Sequence, residues 1–245
     1  MSKSGPDVSE SHDGLVLSVN IADYGAITEV TAAVNLVCDE VERRNKSVVV
    51  LHLGDGRAAA VSRAWPQPTA SIQHVNRWER AVRRLEKLAA MSIVVARGIC
   101  QGAALDLLLA TDYRMGTPDL LLLPPVNDGH FWPGMSIHRL VQHLGVARSR
   151  QIVMWGDDIS AEQACALGLI DQVSDNVTEA ARTAAALMGR ISDKELSVRR
   201  QLLLESASTD YDEALGAHLA ACDRELRRLR SSAGDPSDIE AGARP

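Results

Sequence analysis

Apolar positions change period several times along the chain, and each change predicts an element. Residues 15–21 alternate as a half-buried strand does. Val30, Val34, Val37, Cys38 and Val41 then share one helical face behind Thr28, a candidate N-cap. Residues 47–53 are apolar and β-branched, a second strand ending at Gly54-Asp55-Gly56. Ile72, Val75, Trp78, Val82, Leu85 and Leu88 recur at helical spacing, with Arg77, Arg80, Arg83, Arg84 and Lys87 on the other face beside Glu79 and Glu86. That predicts a long amphipathic helix leading into a buried strand at 93–96. A strongly apolar helix follows over 105–110, then short strands at 113–115 and 120–123. Trp132-Pro133-Gly134 is a turn before helices over 137–144 and 147–155. Ser160 is placed to cap a helix starting at Ala161, residues 168–173 read as a strand, and the pattern stays helical to about Arg230. Recurring strand–helix alternation predicts an α/β fold of stacked ββα units.

With 245 residues the chain can build one sizeable core and a small helical appendage. The division expected is a polar, disordered start at 1–13, a core at 14–190, a C-terminal helical region at 191–230 and a disordered tail at 231–245. Aromatics are only 3% of the chain, so Leu, Val, Ile and Ala must supply the core. A net charge of −6 speaks against a general nucleic-acid binder, whose footprint is basic. Cys38, Cys100, Cys165 and Cys222 are far apart, with no CxxC pair and no His–Cys cluster, so reduced thiols and no metal site are expected. Neither a signal-peptide pattern nor a membrane-length apolar run occurs, and a soluble cytoplasmic protein is the expectation.

The candidate chemistry lies between Ser92 and Gly134. There an apolar strand runs into Gly98 and Gly102, and a helix follows with Asp106 among leucines. Burying a carboxylate is costly unless it is paired or put to use. Glycines let a backbone come close to a ligand, and a helix N-terminus offers unpaired N–H groups to an anion. Together these suggest a site that stabilises negative charge developing on an oxygen. The plainer alternative for Asp106 is a structural carboxylate hydrogen-bonded to its neighbours. The stretch 57–68, with small residues, Arg57, Arg63, Trp65 and two prolines, reads as a functional loop. Asp112 reads as a structural acid, and His138 and His143 as surface or interface residues.

These residues resemble the crotonase family, the enoyl-CoA hydratase/isomerase superfamily. Its A-V-N-G-x-A-x-G-G-G-x-E-L-A-x-x-C-D stretch is similar to Val95-Ala-Arg-Gly98-Ile-Cys-Gln-Gly102-Ala-Ala-Leu-Asp106-Leu-Leu-Leu-Ala-Thr-Asp112. Its later P-E…I-P-G block is matched by Pro125-Val126…Trp132-Pro133-Gly134. Residues 156–173 resemble its T-G-D-x-I-x-A-x-E-A-x-x-x-G-L-V segment. The likeness spans about 14 to 190 and is strongest from 92 to 173. Residues 78–88, 109–114 and 132–135 further resemble a subgroup: the hydratase-like proteins of the 3,5-dihydroxyphenylglycine pathway of glycopeptide antibiotics. Those assist a type III polyketide synthase that makes 3,5-dihydroxyphenylacetyl-CoA.

The resemblance implies a crotonase-type spiral of repeated ββα units with a C-terminal helical region. It implies an acyl-CoA thioester as substrate, with no cofactor beyond the coenzyme A of that substrate. Two backbone N–H groups would form the oxyanion hole, at Ala103 and Val61. Asp106 occupies the first acid position of the family, one methylene shorter than the usual glutamate. The second acid position holds Val126, and Asn127 and Asp128 beside it are the candidates to compensate. Arg57, Ser62, Arg63, Gly102, Val126 and Trp132 are the candidate substrate contacts. A one-base elimination fits better than a two-carboxylate mechanism: Asp106 takes an α-proton, the amides hold the enolate, and hydroxide leaves. The family also implies a homo-trimer or hexamer. The rival expectation is an accessory protein of the same fold that stimulates a polyketide synthase or a paralogous hydratase.

Overall fold

The computed structural model describes residues 26–54, 65–127, 129–189, 191, 193–206 and 209–232, and the backbone of 8–10 and 16–20. The chain divides into two compact units, 1–196 and 197–245.

The first unit begins with β1 (Val8–Glu10) and β2 (Val16–Asn20), paired antiparallel. β1 falls within the stretch 1–13 expected to be disordered. Then come α1 (Ile27–Arg44), β3 (Val48–Leu53), α2 (Ile72–Glu86), β4 (Met91–Ala96), β5 (Ile99–Gln101) and α3 (Ala103–Leu109). They are followed by β6 (Tyr113–Gly116), β7 (Leu121–Leu123), the hairpin β8 (Val126–Asn127) and β9 (His130–Phe131), and α4 (Ser136–Trp155). The unit continues through β10 (Ile159–Ser160), α5 (Ala161–Leu167), β11 (Gln172–Val173) and α6 (Val177–Met188). The boundary to the second unit falls inside α7 (Asp193–Ser206), and α8 (Tyr211–Ser232) completes the described elements.

Six strands form one sheet in the order β1-β2-β3-β4-β6-β11, parallel except for β1. A second sheet runs β10-β7-β5, with β5 and β7 parallel. The chain alternates between the two: β4 is followed by β5, and β6 by β7. Because β4 neighbours β6 and β5 neighbours β7, each strand–strand passage stacks on the last. This is the coil of repeated units that the pattern predicts.

The central sheet is apolar on both faces, as a parallel sheet covered on both sides must be. Val49, Leu51 and Leu53 of β3 pack with α1, α2 and α3 residues, while Val48 and Val50 face a second cluster with Val177, Ala181 and Ala185 of α6. Two-residue alternation therefore assigns each side chain of one strand to one of two cores.

Two boundaries differ from the sequence expectation. Helix α1 starts at Ile27 rather than after a Thr28 cap, and its Ala26 N-cap makes no side-chain hydrogen bond. Instead the Ile27 N–H donates to Oε1 of Gln67, 3.1 Å away and 40 residues on. The strand expected at 168–173 shrinks to β11, because Gly168 ends α5 and Leu169 and Ile170 are buried in the turn after it. The two helices expected over 137–144 and 147–155 are present within α4, separated at Gly145, whose φ of 71° and ψ of 168° are not helical. Ser160 and Gln163 cap α5 reciprocally, as the sequence suggests.

Candidate active site

Asp106 lies in the first turn of α3 and is 3% exposed. Its position follows from the backbone just before it. Gly102 joins β5 to α3 with φ 52° and ψ −120°, a conformation that favours glycine. A Cβ there would also sit 2.9 Å from Cγ of Trp65. The turn therefore needs glycine for two reasons. Ala103 opens α3, where helix geometry leaves backbone N–H groups without intrahelical acceptors.

The partner of Asp106 comes from α2. Nε1 of Trp78, a residue only 1% exposed, donates to Oδ2 of Asp106 at 2.8 Å. Trp65 meets the Trp78 ring edge-on, with centroids 5.6 Å apart and planes at 78°. Burial drives the Asp106 pKa up from 3.8 to about 7, against the pull of the Trp78 N–H. The Glu79 charge pushes it up further, whereas Arg139 and, more weakly, the Trp65 indole favour the carboxylate. A group that titrates near neutrality can both take and return a proton.

Near Asp106 stands an ion cluster joining α2 to α4, with its arginine buried and its two glutamates half-buried. Arg139, 5% exposed, pairs through Nε with Glu86 and through Nη1 with Glu79 at 3.3 Å. Glu79 also accepts from the Met135 N–H at 3.3 Å, just before α4 begins. Burial opposes the Arg139 charge, but Glu86, Asp106 and Glu79 outweigh it and raise its pKa. At the far end of α3, Nε2 of His143 lies 2.8 Å from the Leu109 carbonyl, which it meets as donor.

Asn127 has a different part from the catalytic one expected. Its Oδ1 accepts from the Trp65 N–H and its Nδ2 donates to the Trp65 carbonyl, both at 2.9 Å. Both ends of the amide bond one backbone, so Asn127 fixes Trp65. Val126 is half-buried beside it in β8. Trp132 packs against the larger core cluster, and its indole so closely covers Gly134 that a Cβ there would lie 2.5 Å from Nε1. Asp112 is structural as expected, accepting from the Ser92 N–H at 2.8 Å and hydroxyl at 2.7 Å. Arg57, Val61, Ser62, Arg63 and Asp128 lie outside the described residues.

The structure thus gathers Gly102, Ala103 and Asp106, and it adds Trp78, Trp65, Glu79, Glu86 and Arg139, which the sequence reading did not assign to the site. A signal existed for part of this set. Glu79 and Glu86 are seven residues apart, hence on one side of α2. Among the described residues no helix is long and apolar enough to cross a membrane.

Comparison with known proteins finds relatives in both sequence and structure. The model of the family described as enoyl-CoA hydratase/isomerase matches residues 66–234. A protein of Amycolatopsis orientalis named enoyl-CoA-hydratase is 42% identical over 198 residues, covering 80% of this chain and 88% of its own. Among solved structures, an enoyl-CoA hydratase of Mycobacterium smegmatis superposes with a TM-score of 0.76 at 18% identity, over 97% of this chain and 94% of that one. An enoyl-CoA hydratase/isomerase of Cupriavidus metallidurans gives 0.76 at 18% identity, over 92% and 89%.

Proposed function

The chain belongs to the enoyl-CoA hydratase/isomerase family, and on that footing we propose that it is a lyase that removes water from, or adds it to, an acyl-CoA thioester at Asp106. The observation that carries this reading is the Asp106 carboxyl: buried, held by Trp78 and titrating at about 7, four residues after the Gly102 turn.

In the dehydration direction the ionised Asp106 takes the α-proton of a 3-hydroxyacyl thioester. The electron pair moves onto the thioester oxygen, where the backbone N–H groups at Ala103 and Val61 stabilise the enolate. On collapse the Cα–Cβ double bond forms and the Cβ–O bond breaks. The departing oxygen then takes the proton from Asp106 and leaves as water. The carboxylate is regenerated, so one acid serves both proton transfers. Coenzyme A enters only as part of the substrate, with Arg57 and Arg63 as candidates for its phosphates and Ser62, Val126 and Trp132 for the acyl group.

The finer reading follows the subgroup resemblance. The substrate would be a polyketide-derived CoA intermediate dehydrated and aromatised toward 3,5-dihydroxyphenylacetyl-CoA, in the cytoplasm, by a trimer or hexamer of this chain. Aromatisation supplies a large driving force, which suits a site with one carboxylate. A second reading is favoured by Val126 and by the committed amide of Asn127. In it the chain is an accessory protein that stimulates a polyketide synthase or a paralogous hydratase.

Release or uptake of water on 3-hydroxyacyl- and enoyl-CoA, compared between wild type and Asp106→Asn, separates the two. Turnover lost in the variant, by at least about 100-fold, is expected for the lyase. No turnover in either protein, with synthase stimulation kept in the variant, would establish the accessory role instead.

A further inference from the structure

Breaking the Cβ–O bond puts negative charge on the departing oxygen, and a buried site must meet that charge with a donor. Four side chains act on Asp106: Trp78, Glu79, Arg139 and Trp65. The Trp78 N–H is spent on Asp106 itself. Arg139 is engaged by Glu86 and Glu79, and Glu79 is an acceptor. Nearby, the Asn127 amide bonds the Trp65 backbone through both its oxygen and its nitrogen.

Trp65 is the exception. It is 5% exposed, and its Nε1 is a buried donor that meets no acceptor among the described residues. A buried indole N–H without a partner is costly, and native proteins seldom leave one without a reason. Nor is its placement loose. Asn127 grips its backbone at two points, Trp78 braces its ring, and Gly102 is bare of a side chain where the indole lies. Three elements thus hold a donor beside the Gly102 turn and near Asp106, whose carboxylate it favours without meeting it in a hydrogen bond, and no other acceptor for it lies among the described residues.

We propose that the Trp65 indole N–H binds the β-oxygen of the substrate: the hydroxyl that leaves in dehydration, or the water that attacks in hydration. The same oxygen then faces Trp65 as acceptor and Asp106 as the group that gives or takes its proton. The ligand class this selects is an acyl thioester carrying oxygen at Cβ, in preference to a plain alkanoyl thioester. The proposal rests on the lyase reading of Asp106, and its test is built so that the two can fail separately.

Two reactions are followed at a pH on the plateau of each profile, with wild type and Trp65→Phe. One is water loss from 3-hydroxybutyryl-CoA. The other is exchange of α-protons of butyryl-CoA with deuterated water, which needs the base and the oxyanion hole but has no β-oxygen. The expected result is a fall of roughly 10- to 100-fold in dehydration, with exchange reduced far less. Equal loss in both would make Trp65 a packing residue and overturn the proposal. Absence of exchange in wild type would overturn the base reading itself and this proposal with it. Should Trp65→Phe fold poorly, replacing Trp65 by 3-benzothienylalanine puts sulfur in place of the N–H at nearly constant shape. The same split between the two reactions is expected there, at an unchanged unfolding temperature.

Discussion

At the scale of single residues, Asp106 carries a conflict between stability and chemistry. Its pKa in the folded chain is about 7, above its ordinary value of 3.8, chiefly through burial. The unfolded chain therefore ionises first as pH rises. Native stability is lost between about pH 4 and 7, and the loss is complete above that. Asp106→Asn removes the charge, so the variant should be more stable than wild type by roughly 1–3 kcal/mol at pH 8, with the gain shrinking toward pH 4. Denaturant titration at both pH values checks this; a variant less stable at pH 8 would contradict it. Trp78→Phe has the opposite electrical effect, deleting the donor that favours the carboxylate. The Asp106 pKa should then rise further, moving the pH at which activity reaches half its maximum up by about 1–2 units. A pH–rate profile with an unmoved limb would show that the Trp78 bond does not set this titration.

At the scale of elements, the site depends on α2 and α4 being tied together behind it. Arg139→Ala would leave half-buried Glu79 without this cation and Glu86 with Arg83 alone, at a cost of roughly 1–3 kcal/mol. It would also remove a charge that favours ionised Asp106, so the activity limb should shift upward alongside the loss of stability. Thermal unfolding and a pH profile of one variant test both effects, and stability loss without any shift would confine Arg139 to a structural part. The turn into α3 is similarly constrained. Gly102→Ala meets both a φ of 52° and the Trp65 ring, and should destabilise by roughly 1–3 kcal/mol while displacing Trp65. Trp fluorescence and calorimetry together would register it.

At the scale of the whole molecule, the central strands are the most protected part of the described fold. β3 and β4 lie inside the six-stranded sheet, with apolar side chains in the two core clusters on either face. Their amides should exchange last, near the global unfolding free energy, with β1 and β10 at sheet edges exchanging earlier. Hydrogen exchange resolved by peptide checks this, and early exchange across β3 would contradict the sheet order. Much of this frame is legible in the amino-acid order. The runs at 47–53 and 93–96 read as buried strands from the sequence, and the α2 stripe through Trp78 and Val82 reads as a core-facing side, as both prove to be.

Periodicity, turn chemistry and burial cost are local, so the amino-acid order alone shows the alternation of strands and helices, the glycine turn before α3 and a carboxylate in an apolar helix. It could not say which groups would meet that carboxylate. Trp78 counts as one more apolar position on its helix until α2 is laid against α3, 28 residues away in the chain, and its N–H finds Asp106. The Gln67 bond to the start of α1, the Asn127 grip on Trp65 and the Arg139 pairing with Glu79 and Glu86 likewise join partners 40 to 62 residues apart. Hydrogen bonds act over about 3 Å and charge effects over roughly a Debye length of 10 Å, so their partners are settled only when packing brings distant segments together. The pKa of Asp106, and with it the chemistry open to this site, belongs to the tertiary structure.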